Sequence, residues 1–376
     1  MSSVQTSASV GGTGLRIAGI SLRRRRVPYA QRSLLQRVGG VIGGVWDTAA
    51  WTMLAVLCVV AASRPVGGVA PTIEPLRAVL PVLLLPAYGV LVVSVLGRRW
   101  LQTVVAFVLC VSHLFAVAPA RRHDAVPYWV AGAATVRVAT VDVRMPAAAA
   151  SDAIAAIAAL GADVVVLTDV TPDWDGLLQS SASLAGYSQR LMLPRADHGG
   201  VAVLSRLAID DRERLNGVAT PVLRIRLPGG GVMRVLAVQT ATPTSSSTAR
   251  VWAAQLRAID HATVGSDVAM VAVGNFHGTR WQPSFGALLA SGLRDAHEAV
   301  GQGLGRSWPM RRYRPVARLG HALADQRLFP TRVDNFAVSG SDHRGFVVTY
   351  AVQPERAPGP IATAQTAQTA DAATSP

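Results

Sequence analysis

The sequence predicts an α/β sandwich domain preceded by three transmembrane helices. Three observations lead there. Apolar stretches of membrane-spanning length crowd the region between residues 41 and 120. After about residue 134, short β-branched runs alternate with Ala-rich segments. The mean hydropathy is +0.33, with only 15% charged residues, which is high for a wholly soluble chain and fits one that is part membrane and part soluble.

Residues 1–40 read as a cytoplasmic basic tail carrying Arg23, Arg24, Arg25, Arg26, Arg32 and Arg37. Such a run usually stays solvated and fixes topology; contact with anionic lipid headgroups is the sharper reading. Three apolar stretches follow, over residues 41–62, 78–96 and 101–120. Each is about 19–22 residues, enough to cross a hydrocarbon core of about 30 Å. Pro81 and Pro86 inside the second stretch are compatible with a span, because neighbouring helices satisfy the freed carbonyls. A cleavable signal peptide is not expected, since its apolar region would be shorter and nearer the start. His113 is read as a packing or interfacial residue of the third span ahead of a proton or metal site. Arg98 and Arg99 fill the turn between the second and third stretches, while the preceding loop has only Arg64 and Arg77. The positive-inside rule then keeps the tail and the Arg98–Arg99 turn in the cytoplasm and sends the following domain outside. Arg121 and Arg122 oppose this assignment.

Formal net charge is +14 without a single lysine. That is the codon usage of a GC-rich bacterial genome, and much of the charge flanks the spans. A nucleic-acid partner is therefore admitted but not indicated. Cys58 and Cys110 both lie in the apolar stretches, so the soluble part has no disulfide partner and no Cys-ligated zinc.

Residues 121–133 read as a linker, 134–353 as the domain and 354–376, rich in Ala, Thr, Gln and Pro, as a disordered tail. Expected strands are 136–143, 164–168, 201–204, 222–227, 232–239, 268–273 and 346–352; expected helices are 148–160, 248–262 and 283–291. Hairpin-like strand pairs mixed with helices favour a sandwich over a strictly doubly wound sheet.

Five segments carry chemistry-bearing residues to expected strand ends. They are Val136-Arg-Val-Ala-Thr-Val-Asp142, Ala162-Asp-Val-Val-Val-Leu-Thr168-Asp169, Gly200-Val-Ala-Val-Leu-Ser-Arg206, Val271-Ala-Val-Gly-Asn275-Phe-His277-Gly-Thr and Gly340-Ser341-Asp342-His343-Arg344. In this order they resemble the endonuclease/exonuclease/phosphatase superfamily, the DNase I-like fold. Leu293-Arg-Asp295-Ala and Ser307-Trp308-Pro309 match its scaffold positions. The resemblance implies a four-layered α/β sandwich and a hydrolase of phosphodiesters or phosphomonoesters. It implies a cation, Mg²⁺ or Mn²⁺, held by hard oxygen ligands. Two acid–base groups then work beside it.

Carried over residue by residue, the site is altered. Asp142 stands where the family has Asn, and Asp169, after Thr168, stands for Glu. Gln239 replaces the middle-strand His. Asn275 and His277 replace the loop Asp and Asn. Gly320 replaces the Asp that would orient His343, with Asp325 as a substitute carboxylate if the register shifts. Asp342 and His343 match in full. The metal set is then Asp142, Asp169 and Asp342; the catalytic set is His343, Asp342, Asn275, His277 and Gln239. Asp169 reaches less far than Glu by about 1.5 Å. An amide at Asn275 cannot accept a proton, and losing a general base costs about 10²–10⁴ in rate. In a rearranged site, His277 would act as ligand or base, and His with carboxylates would suit Mn²⁺ or Zn²⁺. In the bland alternative these residues are leftovers bonded to each other.

His198 is expected in a loop, and His261 and His297 on solvated faces. Trp174, Trp252 and Trp281 are expected to pack in the core or at its rim. Arg311, Arg312 and Arg314 read as a solvated loop, with phosphate contact as the functional alternative. Three functions follow. The first is a membrane-anchored phosphoesterase acting on a phosphorylated small molecule or lipid headgroup. The second is an inactive relative serving as an extracytoplasmic binding or scaffolding module. The third is a sensor for a membrane complex.

Overall fold

The computed structural model describes residues 34–64, 73–121, 123–145, 149–197, 199–215, 220–263, 266–310 and 315–354. The tail before residue 34, His198, the Arg311, Arg312 and Arg314 cluster and the tail after residue 354 lie outside the described residues.

The helices of the apolar region are α1 (Leu34–Ala62), α2 (Glu74–Ala78), α3 (Leu80–Leu83), α4 (Pro86–Leu96) and α5 (Trp100–Arg121). Two segments are long and apolar enough to cross a membrane, Gly40–Ala62 and Trp100–Arg121, with mean hydropathies of 1.7 and 2.1. The three continuous helices expected from sequence are thus corrected to two, because the stretch at 78–96 is interrupted and leaves only the shorter apolar segment Leu80–Leu96. Pro86 has no N–H for the Val82 carbonyl and its ring crowds the preceding turn. The backbone tightens there into i→i+3 bonds, Leu85 N to Val82 O at 3.2 Å and Ala87 N to Leu84 O at 3.1 Å. Buried Ala87, Val90 and Ser94 of α4 face α5. Thr103 Oγ1 donates to Ser94 Oγ at 3.0 Å, and Tyr88 Oη hydrogen-bonds His113 Nδ1 at 3.0 Å. His113 is therefore an interhelical polar contact. The other face of α5 leaves Val104, Phe107, Val108, Leu114 and Phe115 exposed, an apolar surface of the kind that marks contact with a membrane or another protein.

The domain contains strands β1 (Thr135–Asp142), β2 (Val164–Thr168), β3 (Gln189–Leu193), β4 (Val201–Ser205), β5 (Ile209–Arg214) and β6 (Pro221–Arg226). These continue as β7 (Val232–Gln239), β8 (Ala269–Asn275), β9 (Arg294–Asp295), β10 (Gly320–Ala324), β11 (Leu328–Ala337) and β12 (Arg344–Val352). Its helices are α6 (Ala150–Ala159), α7 (Pro172–Ser180), α8 (Ser246–Thr263), α9 (Pro283–Ala290) and α10 (Ala296–Ala299). One six-stranded sheet has the order β11-β12-β1-β2-β4-β3 and the other β5-β6-β7-β8-β10-β9.

Alternation of side chains explains why the strands are apolar throughout. In β1, Val136 and Val138 face the opposite sheet, whereas Ala139 and Val141 face α6 and α7. In β8, Val271 and Val273 join the inter-sheet core, whereas Met270 and Ala272 meet Trp252, Leu256 and Ile259 of α8. Strands covered on both faces need no polar side. The result is the four-layered sandwich expected from sequence, with α6 and α7 outside one sheet and α8 and α9 outside the other. The sequence reading missed α7, α10, β3, β5, β9 and β11. β5 reads Ile-Asp-Asp-Arg-Glu-Arg and is almost wholly exposed at a sheet edge, so it carries no apolar signature. α7 opens on Thr171, whose hydroxyl caps the Trp174 N–H, followed by Pro172.

Candidate functional site

Parallel pairing brings the C-terminal ends of β1 and β2 together, with Asp142 opposite Thr168. In the other sheet, β7 and β8 end together at Gln239 and Asn275. Close packing of the two strands is built into Gly274, at φ 140°, where a Cβ would strike the Val238 carbonyl. The two sheets face each other, so these four ends meet. The loop before β12 closes the group: Ser341 Oγ donates to the Asp142 carbonyl at 2.9 Å and accepts from His343 N at 3.1 Å.

Asp142 is 6% exposed and fully engaged. It accepts from Arg144 N at 3.1 Å, Thr168 Oγ1 at 3.1 Å and Asn275 Nδ2 at 3.0 Å. Asp169 accepts from Gln239 Nε2 at 2.7 Å and lies beside Asp142. Burial and the Asp142 charge push Asp169 up to about 8. Asp169 sits at φ 61° and His277 at φ 45°. Two non-glycine residues in left-handed backbone at adjacent strand ends mark a place where the fold over-determines local geometry.

The His277 ring is held by its Nδ1–H, which donates to the Thr240 carbonyl at 2.8 Å. A carbonyl only accepts, so Nε2 is the unprotonated nitrogen of the neutral ring. Burial pulls His277 down to about 4, and it stays neutral at pH 7. Its backbone N–H donates to Asn275 Oδ1 at 3.1 Å. Asn275 therefore bridges the His277 turn to Asp142. On the far side, Trp308 Nε1 donates to Asp342 Oδ2 at 3.3 Å, while Asp342 Oδ1 is buried with no hydrogen-bond partner among the described residues.

Ligand atoms of Asp142, Asp342 and His343 all lie within 4.8 Å of one another. Two carboxylates and an imidazole, with Asp342 Oδ1 free of hydrogen bonds among the described residues and 3.8 Å from His343 Nε2, fit a divalent cation. Asp169 is adjacent and accepts from Gln239. All seven residues named from sequence, Asp142, Asp169, Gln239, Asn275, His277, Asp342 and His343, are thus drawn into one connected region. Thr168, Thr240, Ser341 and Trp308 were not expected there as polar partners. Their signal is only their position beside the motif residues.

Several expectations are corrected. Asp325 does not substitute for the missing carboxylate: it follows the far end of β10 and pairs with Arg327 at 3.1 Å. The site end of β10 is Gly320, opposite Asn275. His297 is not solvated but completely buried, with Nε2 bonded to Asn335 Oδ1 at 2.9 Å and its ring against Phe346. The helical pattern of α10 hides this, because so short a helix shows no face. His261 is exposed, and Trp174 and Trp252 are in the core. Trp252 Nε1 donates to the Phe276 carbonyl at 2.8 Å and so holds the Asn275–His277 turn from below.

The model of the endonuclease/exonuclease/phosphatase family matches residues 139–343. Among solved structures, an endonuclease/exonuclease/phosphatase from Beutenbergia cavernae DSM 12333 is 19% identical, with 58% of this chain and 72% of that chain covered and a TM-score of 0.45. One from Bacteroides vulgatus is 13% identical, with 58% and 99% covered and a TM-score of 0.48. D. rerio TDP2 complexed with single-strand DNA product is 14% identical, with 58% and 99% covered and a TM-score of 0.48. No curated protein matches. The matched segment takes in more than half of the chain and every strand end described above; the chain belongs to the endonuclease/exonuclease/phosphatase family.

Proposed function

We propose that the chain is a membrane-anchored phosphoesterase that works with Mg²⁺ or Mn²⁺ held at its strand-end carboxylates. The convergence of Asp142, Asp342 and His343 within 4.8 Å carries this reading. Hard oxygen donors suit both ions, and the imidazole favours Mn²⁺. A bound cation would supply positive charge to draw in the phosphate and offset the charge that builds on it. The chain's own residues do the rest. Asn275 cannot take a proton, yet its amide lies 3.0 Å from the Asp142 carboxylate. Relative to the family pattern, carboxylate and amide have changed places while remaining in contact. Neutral His277 offers Nε2 as the proton acceptor, and Gln239 keeps Asp169 beside Asp142. His343 holds the phosphate from the side of Asp342.

The anchor is α1 with the α2–α5 hairpin. The interrupted stretch runs beside α5 for its length: Ser94 meets Thr103 at one end, and Ala78 and Ala116 contact the same domain loop at the other. It therefore packs along α5 as a shorter, interrupted member of the anchor beside the two long apolar helices.

The test uses the full chain in detergent. Calorimetric titration with MnCl₂ and hydrolysis of bis(p-nitrophenyl) phosphate should both be positive. Asp142→Asn and Asp342→Asn should each lose both signals. A folded protein with no affinity for either ion would end this reading. The second reading, a non-catalytic binding module, is favoured by the Asp142 carboxylate being already engaged by Arg144, Thr168 and Asn275. It expects cation binding without turnover.

A further inference from the structure

The geometry points to a substrate class for this site: a phosphate ester carried by a lipid of the same membrane, presented to the domain from the bilayer. This rests on the phosphoesterase reading of the site. The observation behind it is how the domain meets the helices. The turn that holds Asn275 and His277 continues directly into Thr279, Arg280, Trp281 and Gln282, and three of these side chains are hydrogen-bonded to helix backbone. Thr279 Oγ1 donates to the Ala78 carbonyl at 3.3 Å, Gln282 Nε2 to the Glu74 carbonyl at 3.3 Å and Trp281 Nε1 to the Ala116 carbonyl at 3.1 Å. Thr279 and Gln282 are each 1% exposed. Side chains buried in this way on backbone acceptors form a dock, not a flexible tether.

The dock also fixes which end of the sandwich faces the bilayer. Along α5, Trp281 meets Ala116, whereas Gly303 packs against the carbonyl of Ala120. Ala116 is one helical turn, about 6 Å, deeper toward the middle of the span. The chain then leaves α5, and Asp124 N bonds the Ala299 carbonyl at 2.9 Å. It reaches the start of β1 at Thr135, the end of that strand away from the site. β1 then travels back about 26 Å to Asp142. The strand ends carrying the site are thus on the helix side, and the residue of the β8 turn nearest the span is only a few positions beyond His277. Glu74 and Arg77 form a buried ion pair at the same junction, 2.6 Å apart, with Arg77 also bonded to Ser63. The dock is braced from the helix side as well.

A soluble ester must diffuse into the gap between domain and bilayer. A lipid ester already lies in that plane, at the high effective concentration that tethering to one surface provides. The experiment places the full chain in nanodiscs and compares paired esters with the same headgroup: dioleoyl against dibutanoyl phosphatidic acid, and dioleoyl against dibutanoyl phosphatidylglycerol. The long-chain member should be turned over about tenfold or more faster at matched bulk concentration. A Trp281→Phe, Gln282→Ala variant loses two dock bonds and should lower that ratio while turnover of the short-chain ester persists. Equal turnover of long and short chains, or a ratio that the dock variant leaves unmoved, overturns this inference and leaves the phosphoesterase reading standing. No turnover of any ester by a protein that melts cooperatively removes the phosphoesterase reading, and this inference with it.

Discussion

Asp142 and Asn275 are a carboxylate and an amide in contact, 3.0 Å apart. If the pair is the functional unit, the order matters less than the presence of one of each. Asp142→Asn alone puts two amides face to face and should abolish cation binding and turnover. The double change Asp142→Asn, Asn275→Asp restores a carboxylate and should recover a large part of that loss. A full kinetic double-mutant cycle measures the coupling, and additive losses would show that the contact is incidental. A second residue-scale expectation concerns His297. Burial and the Arg318 charge pull it down to about 3, against about 6.5 in an unfolded chain. Between those values the unfolded state binds more protons, so stability is retained above pH 6.5 and lost as pH falls toward 3, by a few kcal/mol in all. His297→Gln should flatten this acid slope, read as the urea midpoint against pH.

Elements place these residues, and two contacts decide how well. Trp252 on α8 is 1% exposed and holds the β8 turn through the Phe276 carbonyl. Trp252→Phe keeps most of the apolar contact but orphans that buried carbonyl, at about 1–3 kcal/mol. The denaturation midpoint should fall, and cation affinity should fall with it, because the Asn275 bridge is loosened. Gly274→Ala is expected to be worse: the backbone conformation rejects a side chain and Val238 blocks the new methyl. That variant should fold poorly as judged by soluble yield, whereas Trp252→Phe should remain folded.

At the scale of the whole molecule, the dock makes helices and domain mutually dependent. Residues 123–354 made without the helices would expose Thr279, Trp281 and Gln282, whose bonds end on α2 and α5. Such a fragment should melt several degrees below the domain in the full chain, followed by tryptophan fluorescence, since about 1 kcal/mol shifts a domain of this size by roughly 2–4 °C. A fragment as stable as the full chain would show that the dock contributes little. MnCl₂ at 100 times its Kd should raise stability by about 2.7 kcal/mol in the intact protein, and Asp342→Asn should abolish the rise.

The sequence by itself determined the layers. Fully apolar β-branched runs such as Val164–Leu167 state that both faces of a strand are covered, and Ala-rich segments between them supply the cover. It also named seven polar residues that the fold brings into one region, because each follows or closes an apolar run. Strands such as β5 were illegible because an exposed edge needs no apolar pattern, and the burial of His297 because a single turn of helix has no readable face. Only the tertiary structure decided that Asn275 leans on Asp142, that Gln239 reaches Asp169, and that the site end of the sandwich rests on α2 and α5. Each of these joins residues far apart in the chain, and hydrogen bonds of that kind depend on where whole sheets and helices come to lie, which no local periodicity records.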